Sequence, residues 1–181
     1  MTPKIFLKSP GGSGTKYLYS VFGKGALTGE RIDFNPHQRF NDNLPKGSLV
    51  FYVMAHPLNI LLSHSKSGFF RDQAMINNLQ GDRNSWRHHQ IQTLEDYANA
   101  GVNMIMFKDH FLQIKANNPD MIKLTYKNLE ADMKKIPLEP IEKKPFLQRR
   151  SNYKEVDMEF IEKLIAIHKE DIDFYHEEFN V

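Results

Sequence analysis

Between the apolar segment Ile5-Phe6-Leu7 and a helical pattern that opens at Lys16 lies the run Lys8-Ser9-Pro10-Gly11-Gly12-Ser13-Gly14-Thr15, whose residue types suit an anion. Glycines let the backbone turn tightly and bring its N–H groups close to an oxyanion, and a helix start adds unpaired donors and the positive end of a dipole. Lys16 supplies a mobile full charge. Strand, glycine-rich turn and helix in this order make a phosphate cradle, with a plain tight turn as the simpler alternative. The run departs from the nucleoside-triphosphate signature G-x-x-x-x-G-K-[ST]: Thr15 separates Gly14 from Lys16, and Tyr17 stands where the magnesium-binding hydroxyl belongs. The strongest strand pattern ends at Ala55-His56 rather than at a carboxylate suited to Mg²⁺. An anion handled without a metal is the chemistry this implies.

The elements that position the cradle follow from hydrophobic spacing. Ile5-Phe6-Leu7 predicts a short first strand and Lys16 to Phe22 a helix, broken by Gly23 and Gly25. Ser48 to Met54 is a continuous apolar run, which predicts a strand buried on both faces, as in a parallel sheet. Pro57 suits the first turn of a helix continuing to about Ser65. A short strand is predicted at Arg31 to Phe34, helices at Thr93 to Ala98 and Met104 to Ala116, and a strand at Met121 to Thr125. Ser67 to about Gln90 is polar and reads as loops and short helices over the sheet, and Lys134 to Pro145 reads as a connection. The tail from Val156 to Phe174 predicts one long helix, with Phe160, Ile161, Leu164, Ile165 and Ile167 as a stripe against the sheet. Alternating strands and helices point to an α/β fold: one three-layer domain over residues 1–181 with a mainly parallel central sheet.

Composition narrows the classes of function. Lys plus Arg number 24 against 22 Asp plus Glu, so the net charge of +2 carries no general nucleic-acid or membrane footprint. Any anion is recognised locally. The chain has no cysteine, which removes disulfides and thiolate metal sites and fits a reducing compartment. Without a long apolar leader or spanning run, the expectation is a cytoplasmic protein with no nucleic-acid or membrane partner. Oligomeric state is left open.

Several segments together resemble the sulfotransferase superfamily. Ser13-Gly14-Thr15-Lys16-Tyr17 looks like its 5′-phosphosulfate loop, [KR]-S-G-T-T-[WFL], set between a strand and a helix. Ala55-His56-Pro57-Leu58-Asn59-Ile60-Leu61-Leu62-Ser63 follows the frame R-[ND]-P-x-[DE]-x-x-x-S, with Ser63 at the phosphate-binding serine. Tyr126-Lys127-Asn128-Leu129 resembles Y-E-D-L, and Arg149-Arg150-Ser151-Asn152-Tyr153 resembles the basic segment before the last helix. Asp171 to Tyr175 has the spacing of a closing D-x-x-x-[FY]. In order, these cover nearly the whole chain.

The resemblance implies a P-loop-like sulfotransferase architecture and 3′-phosphoadenosine 5′-phosphosulfate as co-substrate, with no metal expected. It puts Gly12, Ser13, Gly14, Thr15 and Lys16 at the 5′ end, Tyr17 and Tyr126 beside the adenine, and His56 and Ser63 with Arg149 or Arg150 at the 3′-phosphate. The acceptor would be a hydroxyl or amine on a small molecule, glycan or peptide. Tyr126 serves equally as a strand-end core residue, Ser63 as a polar helix face and the arginines as a solvated turn. Two departures stand out: Gly12 occupies the place of the basic residue before Ser-Gly-Thr, and Ala55 that of an arginine whose bidentate fork is not easily replaced. Lys16 is the substitute for the first, and His56, Lys66, Arg149 or Arg150 for the second.

Sulfuryl transfer needs a base for the acceptor proton, and His37, just after Pro36 and ahead of the main strand, is the first choice, with His56 in reserve. A surface histidine without a role is the competing reading. Adjacent His88 and His89 point in different directions and form no ligand trio. His110 and His168 read as surface or partly packed, and Asp171, Asp173, Glu177 and Glu178 as a solvated face. A magnesium-dependent phosphotransferase of P-loop kinase type, or an inactive nucleotide-binding remnant, are the alternative functions.

Overall fold

The computed structural model describes residues 3–38, 44–68, 91–142, 145–146 and 157–180. Within them the elements run β1 (Ile5–Lys8), α1 (Thr15–Phe22), β2 (Leu49–Met54), α2 (Pro57–Lys66), α3 (Leu94–Ala100), α4 (Phe107–Asn117), β3 (Ile122–Thr125), α5 (Leu129–Asp132), α6 (Met158–Ile167) and α7 (Lys169–Phe179). Short 3₁₀ turns lie at Gly25–Leu27 and Met133–Lys135. The chain divides into two compact units, Met1–Ala55 with Phe111–Arg149, and His56–His110 with Arg150–Val181. The class is α/β, as the alternating pattern predicts. No helix among the described residues is long and apolar enough to cross a membrane.

The first unit carries a three-stranded parallel sheet in the order β1-β2-β3. β2 is central, and Val50 through Met54 are all buried, which is why its sequence is apolar without alternation. Leu7 pairs with Phe51, and Val53 with Leu124. Side chains alternate along each strand, so Ile5, Leu7, Phe51, Val53 and Leu124 join one core with Leu18, Val21 and Phe22 of α1 and Leu129 of α5. Each such fully buried side chain contributes about 1.5–3 kcal/mol. On Phe6 and Tyr52 of the other face rest Phe34 and Phe111, with ring centroids 5.1 and 5.0 Å apart.

The predicted strand at Arg31 to Phe34 is absent. Arg31 pairs with Asp33 at 2.8 Å, Ile32 is fully exposed and only Phe34 is buried. The neighbouring edge of β1 is met earlier in the chain, by a bridge between Phe6 and Thr28 and by Gly29 N–H donating to the Ile5 carbonyl. The predicted polar connection from Lys134 follows a turn that the sequence reading lacks: α5, pinned because Asp132 accepts from the Thr125 N–H at 2.7 Å and from its hydroxyl at 3.0 Å.

In the second unit α2 packs on α3 and α7, and α6 on α3 and α7. Thr93 starts α3 with a capping box, its hydroxyl accepting from Asp96 N–H while the Asp96 carboxylate accepts from Thr93 N–H. The predicted single tail helix is two helices, broken at His168, and Ile165 of the predicted apolar stripe is exposed. The cause is a buried network. His168 Nδ1 and Nε2 lie 2.8 Å from Asp171 Oδ2 and from the Tyr97 hydroxyl, respectively. Asp171 also accepts from Asn103 Nδ2 and the Lys108 N–H, each at 2.8 Å. The reading of His110 and His168 as surface or partly packed, and of Asp171 as part of a solvated face, is corrected: all three are buried. They are hidden in the sequence because a charged residue at helical spacing looks solvated until its partners, here about 70 residues away, are known.

Burial alone would push the Asp171 carboxyl up, but hydrogen bonds from His168, Lys108 N–H and Asn103, with the His168 charge, outweigh it and hold it below the usual carboxylate range. Its stabilisation is thus complete above the unfolded aspartate pKa of about 3.9 and is lost as pH falls through the lowered folded value. Asp171→Ala, which strands several buried donors, is expected to cost about 3 kcal/mol or more in a denaturant titration at neutral pH. A loss no larger than that of exposed Glu170→Ala would contradict this account of the break between α6 and α7.

Candidate functional site

β1 ends at Lys8, and the chain crosses to α1 through a loop in which Gly11, Gly12 and Gly14 all have left-handed backbones, with φ of 84°, 64° and 94°. Gly14 is the most constrained. A Cβ there would come 2.8 Å from Leu129 Cδ2 and 3.2 Å from Tyr126 Cδ2, so only glycine allows the loop this close to the residues after β3. Gly14 also occupies the N-cap of α1 and offers no side chain to the helix start. Among the described residues, no protein group accepts from the N–H of Gly12, Ser13, Gly14, Thr15 or Lys16. Successive unpaired amides at a helix start form an anion cradle. Lys16 extends from the first turn and is exposed, whereas Ser13 and Thr15 are buried.

The walls of the loop are held by hydroxyls. Ser9 Oγ lies 2.7 Å from Thr15 Oγ1 and accepts from Gly11 N–H at 3.2 Å, and Ser13 Oγ donates to the Gly11 carbonyl at 3.0 Å. The sequence reading missed Ser9 and Lys8. Lys8 is buried, donates from Nζ to the Asn35 carbonyl at 3.3 Å and sits 4.6 Å above the Phe34 ring. A lysine ending an apolar strand immediately before glycines was the available signal.

His37 is brought to this loop. Ser9 N–H donates to the Pro36 carbonyl at 2.9 Å, and His37 N–H donates to Asn35 Oδ1 at 2.9 Å. The imidazole Nδ1 then lies 3.0 Å from the Ser9 carbonyl and 3.1 Å from Ser9 Oγ. A carbonyl only accepts, so Nδ1 carries the proton and the lone pair sits on Nε2. Desolvation holds the imidazole below its ordinary pKa; the bond to the Ser9 carbonyl opposes this, while the charges of Lys8 and Lys16 add to it.

Tyr17 and Tyr126 fall in one aromatic cluster, but each rests on Phe146, at centroid distances of 4.7 and 5.0 Å. Tyr126 N–H donates to the Met54 carbonyl at 2.8 Å, which fixes it at the end of β2. His56 and Ser63 belong to the second unit. His56 caps α2, Nδ1 accepting from Leu58 N–H at 3.3 Å, and its ring meets Tyr175 edge-on at 5.6 Å. Ser63 is half-buried in α2. Arg149, Arg150, His88 and His89 lie outside the described residues. The structure thus gathers Gly12, Ser13, Gly14, Thr15, Lys16 and His37 around one loop, with Tyr126 beside it. Compared with known proteins, the chain matches no family model, no curated protein and no solved structure.

Because the folded imidazole resists protonation, stability is complete above the unfolded histidine pKa of about 6.5 and declines as pH falls from there through the lowered folded value. His37→Gln keeps a polar side chain that does not titrate. Its denaturant midpoint should fall less than that of the wild type between about pH 6.5 and pH 5. Parallel profiles for the two proteins would show that His37 is not held neutral.

Proposed function

We propose that this chain is a sulfotransferase-like enzyme that moves a sulfuryl group from 3′-phosphoadenosine 5′-phosphosulfate to a hydroxyl or amine. One observation carries the reading: a cradle of unpaired amides and an exposed lysine, with a histidine beside it held in its basic form. The donor supplies the activated sulfuryl group on a phosphate leaving group. Gly12, Ser13, Gly14, Thr15 and Lys16 hold its 5′ oxyanions, and the Lys16 ammonium offsets charge developing on the leaving oxygen. His37 Nε2 takes the acceptor proton as the acceptor oxygen or nitrogen bonds to sulfur and the bond from sulfur to the phosphate oxygen breaks. Lys8, buried and held against Asn35 and Phe34, adds positive potential.

The cradle fits the 5′ end on its own. Tyr17 and Tyr126 offer ring faces for the adenine where Phe146 now rests on both. For the 3′-phosphate, the resemblance in sequence alone assigns Ser63 with Arg149 or Arg150. The acceptor belongs to the class of small molecules, glycans or peptides that present a hydroxyl or amine.

Thermal unfolding with 3′,5′-adenosine bisphosphate, compared with ATP in the presence and absence of Mg²⁺, separates this reading from a kinase-like one. A ligand at 100 times its Kd adds about 2.7 kcal/mol to the folded state. The bisphosphate is expected to raise the melting temperature without metal. Lys16→Ala should weaken that binding about tenfold, and Ser63→Ala several-fold. Stabilisation by ATP only with Mg²⁺ would favour a phosphotransferase instead, and an unchanged response in Lys16→Ala would remove the cradle from the site.

A further inference from the structure

β3 is an edge strand, and a strand edge offers a row of N–H and C=O groups to any other chain that can lie along it. Neighbouring residues of a strand turn their backbone groups to opposite sides. Those of Ile122 and Leu124 face β2, as does the Tyr126 N–H that reaches the Met54 carbonyl. Lys123 and Thr125 therefore turn theirs outward, where no strand lies among the described residues. Two side chains, from the end of α5 and the 3₁₀ turn after it, meet them there. Asp132 Oδ2 accepts from the Thr125 N–H at 2.7 Å, and Lys135 Nζ donates to the Lys123 carbonyl at 3.4 Å. The two side chains close on each other through a 2.7 Å ion pair between Asp132 Oδ1 and Lys135 Nζ. In a parallel sheet one residue of an added strand does the same, donating its N–H to one carbonyl and accepting at its own carbonyl from the N–H two residues on. The carboxylate stands for that residue's carbonyl, and the ammonium for its N–H.

We infer that the Asp132–Lys135 pair is an autoinhibitory contact: it fills the outer edge of β3 and keeps that edge from pairing with β3 of a second copy of this chain. A second copy is the fitting occupant because the edge is self-complementary. With a two-fold axis at Leu124, two β3 strands run antiparallel and Lys123 lies opposite Thr125 of the second copy. Each Thr125 N–H then donates to the Lys123 carbonyl of the other copy, and each Lys123 N–H to the other copy's Thr125 carbonyl. The Thr125 N–H and the Lys123 carbonyl are the two groups that Asp132 and Lys135 hold. Taking away the pair frees a donor and an acceptor whose best match is their own symmetry mate.

Sedimentation velocity of the full chain over a concentration series reads the effect. The double variant Asp132→Ala with Lys135→Ala should self-associate about tenfold more tightly than the wild type, and Lys135→Ala alone about threefold. Adding Lys123→Pro should return either to wild-type behaviour. Proline there removes an N–H that faces outward, so it blocks the new pairing and leaves the ladder to β2 whole. Hydrogen exchange gives a second readout: the Thr125 amide of the double variant should become better protected as its concentration rises. A double variant that associates no more tightly than the wild type, tighter association that survives Lys123→Pro, or Thr125 protection independent of concentration would each overturn the inference. Should the double variant fail to fold, Lys135→Ala decides alone by its association and its response to Lys123→Pro, because Lys135 is half-exposed and Asp132 keeps both of its bonds to Thr125 in that variant.

Discussion

Ser9 uses every polar group it has. Its N–H reaches the Pro36 carbonyl, its carbonyl receives His37, and its hydroxyl joins Gly11, Thr15 and His37, all with the residue fully buried. The end of β1, the glycine loop, the first turn of α1 and the segment around His37 therefore meet at one residue. Buried polar groups are expensive when unmatched and specific when matched, so this junction fixes the local geometry more firmly than apolar packing would. The apolar contact of Phe34 with Phe6 holds the same segment from the other side.

What the sequence disclosed follows the range over which each signal acts. The pattern at Leu49 to Met54 is local, and it becomes the central buried strand. Pro57 at the first position of α2 and Thr93 before α3 are likewise read from neighbouring residues. The segment from Arg31 to Phe34 misleads because two apolar residues at alternate positions satisfy the strand pattern, yet a strand also needs an edge to pair with. Thr28 and Gly29 already occupy that edge. The loop that results carries His37 to Ser9, so the missing strand and the position of His37 have one cause.

The tail shows the opposite limit. Helical apolar spacing continues through His168, and only the acidic pair Glu170 and Asp171 just after it suggests a new helix start. The interruption comes from Tyr97 and Asp171, which hold the imidazole on both nitrogens. Distant partners also explain Lys8: its burial depends on Phe34 and Asn35, which the periodicity of β1 says nothing about. Legibility failed wherever a polar residue was stabilised by others far along the chain.

Charge and protonation at the cradle are linked by the same geometry. Lys8 and Lys16 make the potential at the loop positive, and that potential opposes a proton on His37. A positive loop next to a neutral imidazole is thus self-consistent: the same charges disfavour a proton on His37. Gly12 brings no basic side chain to the loop, and a lysine before it and another after it bracket the cradle. Their roles differ by burial. Lys8, locked against Asn35 and Phe34, sets a constant background, whereas Lys16 is exposed and free to change rotamer. Two lysines flanking the loop, rather than one within it, make the potential there positive while leaving the backbone amides at the helix start uncovered.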